Sequence, residues 1–188
     1  MSRPAAFLDR DGTINVDTNY VGRAEDVALI PGAAEAIRRL NAAGVPVVVV
    51  TNQSGIARRM FDLVGYEGVR ARIDALLGEA GARVDATYMC PHAPELDGPC
   101  ECRKPGTLLH RQAAAALDLD LARSWYVGDK WRDVAPGLAL GGTGVLVPDA
   151  GTPPEDLERA RREALVLPSL GRAVDAMLDA LHPASRAG

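Results

Sequence analysis

A chain of 188 residues has room for one well-buried core and too little for two comfortable ones. Its 47% hydrophobic and 24% charged residues suit a soluble globule, and a net charge of −4 with a pI near 5.4 argues against a nucleic-acid or anionic-membrane surface. No apolar run approaches a membrane span, and the three cysteines, all between positions 90 and 102, suit reduced thiols in a cytoplasm better than a disulfide framework.

Met1-Ser2-Arg3-Pro4 leads directly into an apolar run, which leaves no room for a signal peptide. Residues 5–9 are predicted as the first strand, broken by Gly12. Pro31-Gly32 opens a helix over 33–43, with Ala36, Ile37 and Leu40 on one face, and Gly44 stops it. Residues 47–50 are a β-branched run suited to a strand covered on both faces. Val69, Ile73, Leu76 and Leu77 mark an amphipathic helix ending near Gly78 or Gly81. A third strand is predicted over 84–89, an Ala/Leu-rich helix over 107–117, a fourth strand over 125–127, a short helix over 134–140 and a fifth strand over 145–147. Thr152-Pro153-Pro154-Glu155 has the form of a capping box. It opens a charged helix to about residue 164, whose acids and bases over 155–163 form a solvated face with i,i+4 pairs. Residues 165–167 add an edge strand. Ser169 caps a last helix over about 169–181 with a stripe of Leu170, Val174, Met177, Leu178 and Leu181. Residues 182–188 are expected to fray.

No repeat or linker divides the chain, so one domain over 1–188 is expected. Repeated βα units imply an α/β fold, a parallel sheet with helices on both faces and sites at the carboxyl ends of the strands. Gly141-Gly142-Thr143-Gly144 follows a helix and enters a strand, the reverse of the dinucleotide fingerprint, and reads as a tight turn. Tyr66 and Trp125 are expected to pack, and His110 to be a solvated helix residue.

Asp9 and Asp11 lie two apart at the end of the first strand, so both side chains share a face and can reach one small ligand. Such a pair can hold a divalent cation or divide covalent and acid–base work; the plain alternative is a pair of solvated acids before a turn. The other strand ends are polar as well. Thr51-Asn52-Gln53-Ser54-Gly55 follows the second, Arg103-Lys104-Pro105 comes after the third, and Gly128-Asp129-Lys130-Trp131-Arg132-Asp133 follows the fourth, all aimed at one crevice. Cys90, His92, Cys100 and Cys102 offer a full tetrahedral shell for structural zinc, in a loop over 90–102 that directly precedes Arg103-Lys104. The competing reading is small buried cysteines beside a surface histidine.

These motifs resemble those of the haloacid dehalogenase superfamily: Asp9-x-Asp11-Gly12-Thr13, Thr51-Asn52, Lys104-Pro105, and Gly128-Asp129 with Asp133. The resemblance implies a Rossmann-like parallel sheet and, given the short connection between the first two motifs, a capless fold with a zinc-binding loop. It implies Asp9 as nucleophile, Asp11 as acid and base, and Thr51 and Lys104 gripping phosphoryl oxygens with Asn52 nearby. Mg²⁺ would be held by Asp9, the main-chain carbonyl of Asp11 and Asp129. With the zinc loop, the stretches from Phe7 to Asp17, from Thr51 to Arg58 and from Val127 to Lys130 look like the heptose 1,7-bisphosphate 7-phosphatases, relatives of the histidinol-phosphate phosphatases. By that resemblance Asp17, Thr18, Asn19, Tyr20, Gln53 and Ser54 touch the sugar, Arg103 recognises a second phosphate or hydroxyls, and Lys130 lies near metal and phosphate. Trp131-Arg132 departs from the aliphatic–acidic pair the resemblance leads one to expect. The implied partner is a small sugar phosphate, with histidinol phosphate or another sugar phosphate as the alternative substrate. With no unpaired apolar stripe in view, a monomer is expected.

Overall fold

Side chains alternate between the faces of a pleated strand, and the buried residues of this chain alternate in the same way. The computed structural model describes residues 2–181; the expected fraying of 182–188 lies outside them. In chain order the elements are β1 (Ala6–Leu8), α1 (Ala33–Ala42), β2 (Val47–Asn52), α2 (Leu63–Glu79), β3 (Ala86–Cys90), the one-turn α3 (Pro94–Asp97) and α4 (Leu108–Leu117). Then follow β4 (Trp125–Gly128), α5 (Trp131–Ala139), β5 (Thr143–Leu146), α6 (Pro154–Glu163), β6 (Leu165–Val166) and α7 (Leu170–Leu181). The strands form one parallel sheet in the order β3-β2-β1-β4-β5-β6, with Leu8 paired to Val49 on one side and Val127 on the other.

Leu8, Val47, Val49, Trp125 and Val127 point to one face, where they pack with Ile37 and Leu40 of α1, Val69 and Ile73 of α2, and Val174 and Met177 of α7. Phe7, Val48, Val50 and Tyr126 point to the other, against Leu109 and Ala113 of α4, and Leu146 on that face meets Val134 of α5 and Ala160 of α6. This is the doubly wound arrangement, with the strand order reversing direction between β1 and β4. Crevices open outside the carboxyl ends of strands at such a reversal. Asp9 and Asp129 are the first residues past β1 and β4, so the topology sets both at its mouth. The connection between β1 and β2 holds only a 3-10 turn (Ala24–Asp26) and α1, with no inserted cap.

The structure corrects several expectations. β2 runs on to Asn52 and β3 to Cys90, because Thr51 pairs with Met89 and Asn52 with Cys90. Thr51 is therefore held in the sheet rather than in a loop. α5 begins at Trp131, ahead of the expected start, because Asp133 Oδ2 accepts the Lys130 N–H at 3.1 Å and closes the first turn. The capping box at Thr152 does not form. The Thr152 hydroxyl instead donates to the Asp129 carbonyl at 2.7 Å and accepts the Asp149 N–H at 2.9 Å, a tertiary bond winning over the local one. His110 is not solvated. It is 2% exposed and packs against the rings of Phe7 and Tyr126, and burial together with the nearby Lys104 charge pushes its pKa down to about 3. Leu63 and Val64 are exposed and, with Ile56 and Phe61, line an open cavity of about 700 Å³, an apolar surface that the expectation of no unpaired apolar stripe did not foresee. Among the described residues no helix is long and apolar enough to cross a membrane.

Candidate active site

The Asp9 N–H donates to the Val127 carbonyl at 2.9 Å, so the sheet ladder continues one residue past β1 and fixes the carboxylate at the crevice mouth. Lys104, 3% exposed, sends Nζ from the zinc-loop side to within 2.7 Å of Asp9 Oδ1, 2.8 Å of Asp133 Oδ1 and 2.5 Å of the Val50 carbonyl. Burial alone would pull the Lys104 pKa down, but Asp133 and Asp9 outweigh it and hold the ammonium above its ordinary value. Asn52 grips the main chain of Lys104 at both ends, accepting its N–H at 3.0 Å and donating to its carbonyl at 3.1 Å. The Asn52 amide thus positions the cation.

Carboxylate oxygens of Asp9, Asp129 and Asp133 lie within 4.8 Å of one another. Burial, then repulsion from Asp133 and Asp9, raises the Asp129 pKa to about 7, against the pull of its contact with Lys130. Asp129 Oδ1 is buried with no protein partner. Three crowded hard-oxygen donors, one of them orphaned, suit a divalent cation such as Mg²⁺. Gly12 is shaped to the same group. Its φ is +84°, and a Cβ there would sit 2.7 Å from Asp129 Cγ and Oδ2. At Gly128 a Cβ would lie 2.2 Å from that of Asp133, so both ends of the acid cluster need a bare backbone.

Asp11 sits apart from that cluster. Its Oδ1 accepts from Arg10 Nε and Asn15 Nδ2, and its Oδ2 from Arg10 Nη2 and Gln53 Nε2, all at 2.9 to 3.0 Å. Gln53 Nε2 also donates to the Thr51 hydroxyl at 2.8 Å.

Asp9, Asp11, Thr51, Asn52, Gln53 and Ser54 form the inner wall of an open cleft of about 330 Å³; Asp17, Asn19, Tyr20, Arg103 and Lys130 form its rim. Lys104 and Asp129 are buried behind Asp9. Thr18 is exposed and falls outside the lining: the Asn19 N–H turns back to Asp17 Oδ1 at 2.9 Å, and this turn puts Asp17, Asn19 and Tyr20 toward the cleft. Arg132, set among the polar residues of the fourth strand end without a role, and Arg58, to which sequence reasoning gave no site role, also line the cleft, while Arg10, likewise given none, contacts Asp11 and Gln53. Arg58 is committed to Glu95 of α3, the Ser54 hydroxyl and the Tyr20 hydroxyl, whereas Arg132 is exposed. Asp133 belonged to the fourth motif without a stated role; here it shares Lys104 with Asp9.

The zinc-loop residues converge. Cys90, Cys100 and Cys102 sulfurs are 3.1 to 3.7 Å apart, and His92 Nδ1 lies 3.2 Å from Cys102 and 3.7 Å from Cys90. Zinc–sulfur bonds of about 2.3 Å give tetrahedral edges of about 3.8 Å, close to this spacing. The cysteines are free, so no disulfide competes. Burial pushes the Cys90 thiol up to about 12, while Cys100, its burial cost outweighed by hydrogen bonds from Cys102 and the Arg103 main chain, falls to about 7. Three crowded thiols and one imidazole fit zinc chemically. Arg103 Nη1 donates to the His92 carbonyl at 3.2 Å, tying the cluster to the cleft rim.

The haloacid dehalogenase-like hydrolase family matches over residues 6–65, and a related HAD-hydrolase-like family over 101–173. The chain is 44% identical over 152 residues to the D-glycero-beta-D-manno-heptose-1,7-bisphosphate 7-phosphatase of Yersinia pestis, covering 78% of this chain and 81% of that protein. It is 46% identical to the enzyme of the same name from Rhodopseudomonas palustris over 147 residues, 74% of this chain and 80% of the other. Among solved structures, the D,D-heptose 1,7-bisphosphate phosphatase of B. bronchiseptica, complexed with magnesium and phosphate, superimposes with a TM-score of 0.84 at 33% identity over 94% of this chain and 99% of that one. Identity of this level over most of both chains means that this chain belongs to the heptose-1,7-bisphosphate 7-phosphatase family of haloacid dehalogenase-like hydrolases.

Proposed function

We propose that the protein is a Mg²⁺-dependent phosphomonoester hydrolase that removes the C7 phosphate of D-glycero-β-D-manno-heptose 1,7-bisphosphate. Asp9, Asp11 and Thr51 lining one open cleft, with the Lys104 ammonium buried against Asp9, carry the reading, and the names of its relatives support the substrate. Asp9, Asp129 and the Asp11 carbonyl would hold Mg²⁺, which when bound supplies positive charge against the repulsion between a carboxylate and a phosphoryl dianion.

An Asp9 carboxylate oxygen attacks phosphorus as the bond to the sugar oxygen breaks, and the Asp11 carboxyl gives its proton to that departing oxygen. Water then attacks the aspartyl-phosphate and passes a proton to Asp11. The Asp9–phosphorus bond breaks, releasing inorganic phosphate and restoring both carboxyl groups to their starting states. Lys104 and the Thr51 hydroxyl offset charge on the phosphoryl oxygens. Lys130 sits at the junction of Asp129 and the cleft. Arg103 and Arg132 supply cations for the second phosphate, while Asp17, Asn19, Tyr20 and Ser54 offer partners for sugar hydroxyls. Cys90, His92, Cys100 and Cys102 would hold structural zinc, which when bound would keep the Arg103-Lys104 segment in place. One chain completes the cleft, which fits a single-domain monomer acting on a small solute, and reduced thiols fit a cytoplasmic setting.

Phosphate release from the α and β heptose bisphosphates, histidinol phosphate and hexose bisphosphates tests this. A kcat/KM for the β heptose substrate at least about tenfold above the others is expected, the size of one modest recognition difference. A preference for histidinol phosphate overturns the substrate assignment.

A further inference from the structure

Arg10 lies between the two working carboxylates in sequence, is 2% exposed, and is absent from the cleft lining. A buried guanidinium that does not face the substrate acts through its neighbours. Its Nε and Nη2 form a two-pronged contact with Asp11 at 3.0 and 2.9 Å, Nη2 also reaches Gln53 Oε1 at 3.1 Å, and its Cζ lies 5.7 Å from the Tyr66 ring centre. With Asn15 and Gln53 adding one donor to each oxygen, four donors hold the Asp11 carboxylate in one rotation, and when Asp11 carries the proton for the leaving oxygen one donor on the protonated oxygen gives way. Gln53 carries the same network on to Thr51.

We propose that Arg10 is a positioning residue that sets the Asp11 carboxyl in line with the oxygen leaving phosphorus, with Gln53 keeping that orientation in register with the phosphate-gripping Thr51. The fork geometry matters as much as the charge, because two parallel N–H groups define a plane and an ammonium does not. Arg10 should therefore govern leaving-group protonation and subsequent water activation, and leave phosphate binding and nucleophilic attack by Asp9 largely untouched.

The proposal rests on Asp11 serving as acid and base, so the experiment separates the two ideas. Arg10→Lys, which keeps the buried charge and loses the fork, is compared with Asp11→Asn and the unaltered protein in single-turnover mixing. One substrate is an alkyl phosphate (the sugar bisphosphate), whose leaving oxygen needs a proton. The other is p-nitrophenyl phosphate, whose leaving phenolate does not. Arg10→Lys is expected to slow alkyl cleavage by ~10²-fold, the scale of one well-placed acid, while the p-nitrophenolate burst changes by less than about threefold. Steady-state turnover of both esters falls, because breakdown of the intermediate also needs Asp11, and the KM for p-nitrophenyl phosphate falls with it as the intermediate accumulates. Equal slowing of both bursts, or of neither, overturns the proposal. Asp11→Asn slowing both bursts alike counts against the acid–base reading itself. If Arg10→Lys does not fold, Asn15→Ser removes a neutral donor from the same carboxylate and must give the same selective pattern at smaller amplitude; its absence there is equally contrary.

Discussion

Lys104 and Asp9, 95 residues apart in the chain, meet in a 2.7 Å ion pair almost sealed from water. Two carboxylates depend on this one ammonium, since Asp133 Oδ1 is 2.8 Å from it as well. Lys104→Met should therefore strand buried negative charge, destabilising the protein by about 3–5 kcal/mol. Turnover should fall by at least ~10²-fold, the usual loss for one removed electrostatic stabiliser. Urea denaturation with and without Mg²⁺, beside the phosphatase assay, checks both; added Mg²⁺ should recover part of the stability and little of the activity.

Gly12→Ala tests the packing of backbone against carboxylate. The new methyl would meet Asp129 Cγ at 2.7 Å on a backbone with φ of +84°. Displacing Asp129 should weaken Mg²⁺ binding by ~tenfold or more, as measured by calorimetric titration, a loss on the scale seen when groups supporting a metal ligand are altered. Unchanged affinity would show that Asp129 is free to move aside.

The zinc cluster should carry one zinc ion per chain, as read by elemental analysis of the purified protein. Cys102→Ser is expected to lose it and to lower kcat/KM by ~10–100-fold even in excess Mg²⁺, because Arg103 and Lys104 follow directly in the chain. Full activity in a zinc-free variant would confine the cluster to a role away from the cleft.

His110 gives the stability a defined acid limb. Its pKa is about 3 in the folded protein and about 6.5 when unfolded, so below pH 6.5 the unfolded chain takes up a proton that the folded one refuses. That contribution is fully present above pH 6.5 and is lost at about 1.4 kcal/mol per pH unit as the pH falls toward 3. His110→Phe should lose about 2 kcal/mol less between pH 7 and pH 5 than the unaltered protein in urea titrations. Parallel curves for the two proteins would mean that His110 titrates normally.

The α/β order and the place of the candidate site were legible because continuous apolar runs and polar strand ends are local signals. Val47 to Val50 announce a doubly covered strand, and Asp9, Thr51 and Asp129 follow apolar runs in a recognisable order. What stayed hidden depended on partners far away. Thr152 carries a capping signature but bonds the Asp129 carbonyl. Arg10 points, by strict alternation, away from Asp9 and Asp11, yet its long side chain folds back to Asp11 past the strand end. His110 was readable in principle, since His110, Ala113, Ala114 and Leu117 make an i, i+3, i+4, i+7 stripe that α4 turns to the sheet. The neighbouring Arg111 and Gln112 obscured it.

The most direct test is to find where phosphorus rests during turnover. Acid quenching in the presence of Mg²⁺ and a labelled sugar phosphate, followed by peptide mass spectrometry, should place an acyl phosphate on Asp9. The adduct should vanish in Asp9→Asn and when divalent ions are removed. Phosphate found on another side chain, or steady turnover by Asp9→Asn, would contradict covalent catalysis by this carboxylate.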